Sequence, residues 1–111
     1  MMIERGDIYV MAAKGPYTGK PRPVIVMQNS SIALDSVIVV PITTTDGHGF
    51  PIRIEIPPDD KNGLKSISFA MCEKINTIPR TALHIRIGRL PMDTLSQIQR
   101  VILDLIDEGE D

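Results

Sequence analysis

The chain holds a single cysteine, no tryptophan, two tyrosines and two phenylalanines among 111 residues. A lone thiol, Cys72, closes no disulfide within the chain, and it fits a reducing compartment. It lies in an apolar run with no histidine beside it to serve as a base, so it reads as core rather than nucleophile. The two histidines, His48 and His84, stand far apart, and neither has a cysteine or carboxylate at ligand spacing. There is no glycine-rich phosphate loop and no serine elbow. Chemistry on such a chain is expected to need neither metal nor cofactor. No apolar stretch approaches membrane-spanning length, and Met1-Met2-Ile3-Glu4-Arg5 is no signal peptide, so the expected location is the cytoplasm.

What is present is a small chain with an uneven charge. At 12.3 kDa, residues 1–111 are expected to form one domain, small enough that a dimer interface would help its stability. The net charge is −2, but five of the fourteen acidic residues fall in the last eight positions. Residues 1–103 carry 12 basic and 9 acidic groups, a net of +3. That is too weak for a protein living on duplex DNA, yet compatible with gripping a few phosphates of a single strand. The acidic tail reads as a solvated end.

Short strands and turns fill most of the length, followed by one helix. Strands are expected over 7–12, 23–28, 36–42, 52–56, 66–75 and 83–87, several alternating apolar and polar residues. Lys14 to Pro21 and Thr44 to Gly49 are loops, and Pro57 to Gly63 is a turn region. Leu95, Ile98, Val101, Ile102, Leu105 and Ile106 recur three or four apart, which predicts an amphipathic helix over 91–107. Pro91 suits its first turn and Gly109 its termination. The expected fold is mainly β: a small, strongly bent antiparallel β-barrel whose open side is covered by a C-terminal α-helix.

Two strand ends carry the candidate chemistry. Arg22, between Pro21 and Pro23, has its backbone restricted on both sides just before an apolar run. Thr43 follows the run Val37 to Ile42. An arginine and a threonine at adjacent strand ends make an anion site, and phosphate is the anion an arginine fork fits best. Each alone reads as structural or solvent-facing; their coincidence shifts the balance.

Arg5-Gly6-Asp7-Ile8-Tyr9-Val10, Arg22-Pro23-Val24-Ile25-Val26, Val40-Pro41-Ile42-Thr43 and Gly88-Arg89-Leu90 before a final helix together resemble the MazF/PemK family. The likeness runs through essentially the whole chain in order and spacing. It implies an SH3-like barrel and a homodimeric toxin of a type II toxin–antitoxin module, a metal-independent, sequence-specific endoribonuclease that cuts single-stranded RNA and arrests growth. It implies that Arg22 and Thr43 are the catalytic pair, acting while the ribose 2′-hydroxyl attacks its neighbouring phosphate to leave 2′,3′-cyclic phosphate and 5′-hydroxyl ends. A cognate antitoxin would block the site with a disordered C-terminal segment that folds as it binds. For the general base the resemblance leaves Glu73, since Tyr17 and Met71 stand where relatives carry a glutamate or an arginine. Glu73 also reads as an ordinary strand glutamate. Lys14, Tyr17 and Lys20 in the first loop, and Thr44, His48 and Phe50 in the second, are candidate RNA contacts. Two other readings stay open: a CcdB-like, non-enzymatic gyrase poison, and an inactive relative that binds antitoxin.

Overall fold

The computed structural model describes residues 2–11, 22–46 and 52–109. Three strands rich in Val and Ile form its centre: β1 (Asp7–Met11), β2 (Arg22–Val26) and β3 (Ser36–Thr43). Branched side chains suit a pleated surface, and these strands are buried on both faces. Ile8, Ile25, Val40 and Ile42 enter one core, whereas Tyr9, Val24, Val26, Val37 and Val39 enter a second on the opposite face.

The remaining strands are β4 (Arg53–Ile56), β5 (Ser68–Met71), β6 (Asn76–Pro79) and β7 (Leu83–Arg89). All pairings are antiparallel, in the order β4-β5-β3-β2-β1-β7, with β6 also on β3. The two outer strands, β4 and β7, do not pair, so the bent sheet stays an open barrel. A 3-10 turn at Arg80–Ala82 carries the chain from β6, beside β3, to β7, beside β1, and wraps it around the second core. The first core is closed by α1 (Met92–Ile106), which buries Leu95, Ile98 and Ile102.

One expected strand is two. The stretch 66–75 breaks after Met71 into a 3-10 turn at Cys72–Lys74, and a separate strand, β6, follows. The ladder shows why. Six residues back along β3, from Ile42 to Ser36, the partner advances nine, from Ala70 to Pro79. Three residues are therefore looped out, and the sheet bends there. Cys72 fills the bend with no exposed surface, and burial, helped by the charge of Glu73, pushes its thiol up to about 11. It is core. The helix begins one residue after Pro91, which caps it, and ends at Ile106; Gly109 beyond takes a left-handed φ of 73°.

Two of the motifs that carry the resemblance hold the N-terminus to the sheet. Gly6, at φ 99°, turns the chain so that its amide reaches the Val26 carbonyl and its carbonyl accepts from the Leu90 amide. A Cβ there would lie 2.8 Å from the Leu95 side chain, so only glycine permits this approach. Asp7 is buried, accepts from the Glu4 amide, and pairs with Arg86 at 3.0 Å and Arg89 at 3.5 Å. Their role is architectural.

Candidate active site at the sheet rim

Arg22 and Thr43 come together by register. The β2–β3 ladder runs from Val26–Val39 to Val24–Pro41, and Arg22 and Thr43 each lie two residues beyond its last pair, at the same end of neighbouring strands. Alternation along each strand puts both side chains on one face of the sheet. Both side chains share that face with Val24, Val26, Val37 and Val39, at the rim of the second core. Arg22 is exposed and Thr43 half-buried.

Their hydrogen bonding leaves both available. Among the described residues the Arg22 guanidinium has no ion-pair or hydrogen-bond partner, whereas Arg5, Arg53, Arg86 and Arg89 are all engaged. Thr43 Oγ1 accepts from the Thr45 amide at 3.1 Å, a local turn that fixes the hydroxyl oxygen and leaves its hydrogen to donate. A fixed O–H donor beside a five-donor fork with no partner among the described residues is a combination whose chemistry suits an anion such as phosphate.

The row continues across the sheet. Thr43 pairs with Phe69 on β5, and Phe69 pairs with Glu55 on β4. On the other side Arg22 pairs with Met11. The next row inward pairs Met71 with Arg53. Sequence reasoning passed over Phe69, Glu55 and Arg53. The signal lay in the alternation of β4 and β5, where Ile54, Ile56, Ser68 and Ala70 are buried and the residues between them turn to the rim face.

Glu73 is placed elsewhere, in the turn beyond β5, four residues along the chain from Phe69. Its Oε2 accepts from Arg53 Nη2 at 2.8 Å and Nε at 3.1 Å, with both side chains largely buried. Burial pushes its carboxyl up, but the Arg53 hydrogen bonds and the charges of Arg53 and Lys74 outweigh that and hold it below its ordinary range. The group stays ionised at neutral pH and is a weak base. Replacing it tests the clamp. Because its folded-state pKa is depressed, Glu73 stabilises the fold above the ordinary glutamate value of about 4.3, and that contribution fades as pH falls below it. Glu73→Gln is expected to cost about 2 kcal/mol in urea unfolding at pH 7. At acid pH the two proteins should converge.

Of the candidate RNA contacts, Thr44 lies exposed just past Thr43. Lys14, Tyr17, Lys20, His48 and Phe50 lie outside the described residues. Met11 and Arg22, the described residues on either side of 12–21, are a register pair at this rim. Among the described residues no three His, Cys, Asp or Glu side chains gather as a metal site would require.

A bent, open antiparallel barrel backed by one terminal helix, carrying an exposed arginine and a threonine at neighbouring strand ends, defines a small, mainly β protein. The chain belongs to the family of PemK-like, MazF-like toxins of type II toxin–antitoxin systems, whose model matches residues 4–106. A probable endoribonuclease MazF of Mycolicibacterium smegmatis is 44% identical over 102 residues, covering 91% of this chain and 94% of that relative. The Mycobacterium tuberculosis toxin MazF-mt6 superposes with a TM-score of 0.76 at 27% identity, covering 94% of this chain and 99% of that one. A MazE–MazF crystal structure from Deinococcus radiodurans shares the fold, with a TM-score of 0.78 at 14% identity over 98% of this chain and 99% of that one.

Proposed function

We propose that this protein is the toxin of a type II toxin–antitoxin pair and an endoribonuclease acting on single-stranded RNA. The observation that carries the reading is the shared rim position of Arg22 and Thr43 in a member of this family. The ribose 2′-hydroxyl attacks the adjacent phosphorus and gives up its proton, while the bond to the 5′-oxygen of the next nucleotide breaks and that oxygen takes up a proton. Charge builds on the non-bridging oxygens as the attack proceeds. Arg22 donates to those oxygens, and the Thr43 hydroxyl holds the same phosphate in place. Ends left this way are a 2′,3′-cyclic phosphate and a 5′-hydroxyl. Glu73, ionised and clamped by Arg53, is assigned to holding the wall of the site rather than to removing a proton.

A gyrase poison of the CcdB kind has no use for an unpaired arginine beside a fixed hydroxyl, and its recognition would lean on the helix end. That end is acidic here, through Asp104, Asp107 and Glu108.

The toxin reading brings partners with it. A cognate antitoxin would lay a disordered C-terminal segment over the rim and exclude RNA. A homodimer is supported by apolar side chains left in the open: Ile32 and Leu34 after β2, and Leu103 and Ile106 on α1, the last 71% exposed. No helix among the described residues is long and apolar enough to cross a membrane, and the proposed site of action is the cytoplasm.

The test is direct. Purified protein is incubated with a long RNA in EDTA, and the new 5′ ends are mapped. Ends that accept phosphate from a kinase without prior phosphatase treatment are 5′-hydroxyls, the expected outcome; an intact RNA, or 5′-phosphate ends, would refute the reading.

A further inference from the structure

Of the described aromatic side chains, Tyr9 is buried at 2% exposure and serves the second core, while Phe69 is not fully buried. On β5, Ser68, Ala70 and Met71 are buried and Phe69 alone reaches the surface. It does so one strand from Thr43, its register partner, and on the same face. Strands lie about 4.8 Å apart, so the ring stands about 10 Å along the row from Arg22. On its far side Phe69 pairs with Glu55, which is exposed. That carboxylate has no hydrogen-bond or ion-pair partner among the described residues. Beyond the phosphate grip, the row therefore offers an apolar ring and then an unused acceptor. An exposed carboxylate next to a phosphate site repels a nucleic acid unless it reads a base. A part-exposed ring in a chain so poor in aromatics finds a partner in a flat base, and single-stranded RNA presents its bases splayed for stacking.

We propose that Phe69 and Glu55 form a nucleobase subsite beside the Arg22–Thr43 pair. Phe69 stacks on the face of a base next to the cut, and Glu55 accepts a hydrogen bond from an amino group on its edge. The base admitted is one that carries such a group, cytosine, adenine or guanine, and uracil is disfavoured. The proposal rests on the RNA-cleaving reading above and names what that site recognises.

The test maps and times cleavage of one long RNA by the parent, Phe69→Leu, Phe69→Tyr and Glu55→Ala, with thermal melting of each. Leucine fills the space without a stacking face, so Phe69→Leu should melt near the parent yet cut the parent's sites about 10–100-fold more slowly. Phe69→Tyr, which restores a ring, should recover most of that loss. Glu55→Ala should raise cutting at sites with uracil in one position flanking the cut, relative to sites with an amino-bearing base, by about 10–100-fold. The subsite is overturned if Phe69→Leu cuts as the parent does, or if tyrosine fails to rescue. A uniform change at every site in Glu55→Ala would equally reject it, because that is plain charge repulsion. A parent that cuts no RNA would sink the nuclease reading itself, and the subsite with it; a parent that cuts while these variants leave its pattern untouched removes the subsite alone.

Discussion

Arg22→Ala folds and melts as the parent does but cuts RNA about 10²–10³-fold more slowly. The fold should be indifferent because the guanidinium is exposed and has no partner among the described residues. Nothing that stabilises the sheet is lost; the backbone at position 22 still pairs with Met11. The rate falls because a fork of donors fixed at a strand end costs no reorganisation as charge develops on the phosphate. Arg22→Lys should recover only a small part. A lysine keeps the charge but not the planar pair of donors that fits two phosphate oxygens at once. Single-turnover cleavage of a labelled RNA, alongside a melting curve, separates the two effects. Thr43→Ala should show a smaller loss of the same kind.

Replacing the 2′-hydroxyl with hydrogen at the single ribose 5′ to the cut abolishes cleavage there while leaving binding nearly intact. In this account the nucleophile belongs to the substrate. The one thiol of the chain is not placed to take that role: Cys72 is buried in the bend after β5, with its pKa pushed up to about 11. A deoxy substitution removes the attacking oxygen and leaves the phosphates that Arg22 and Thr43 grip. The substituted RNA should therefore compete with the natural strand at close to the same concentration, and DNA of the same sequence should stay uncut. Cleavage at the deoxy position would require a nucleophile other than the one assigned.

Much of this was legible in the residues. The Val- and Ile-rich runs marked β1, β2 and β3 because branched apolar side chains alternate over two buried faces. The three-and-four spacing from Leu95 to Ile106 marked α1. Arg22 and Thr43 stood out because each follows or precedes such a run, and the pairing of β2 with β3 brings their strand ends side by side. Their convergence is a long-range fact; it depends on how β2 and β3 slide against each other, which no local pattern records. The break at Cys72–Lys74 was hidden for a similar reason. Its residues have no turn chemistry of their own, and the bend is imposed by β3 pairing with β5 along one half and β6 along the other. Glu73 was a candidate base through the resemblance alone, and its ion pair with Arg53 could not be read locally because the partner is distant in sequence. Phe69 and Glu55 were passed over since neither lies in a recognisable motif, and only the ladder shows them in line with Thr43.

The most direct test of the central claim, that one arginine and one threonine act on a single phosphate, is a double-mutant cycle on the cleavage rate. Arg22→Ala, Thr43→Ala and the double variant are compared at one mapped site under single-turnover conditions. Two groups that act as a unit give strongly non-additive losses, so the double variant should be scarcely slower than Arg22→Ala alone. A double variant whose loss equals the product of the two single losses would show the residues working independently, and would contradict the account.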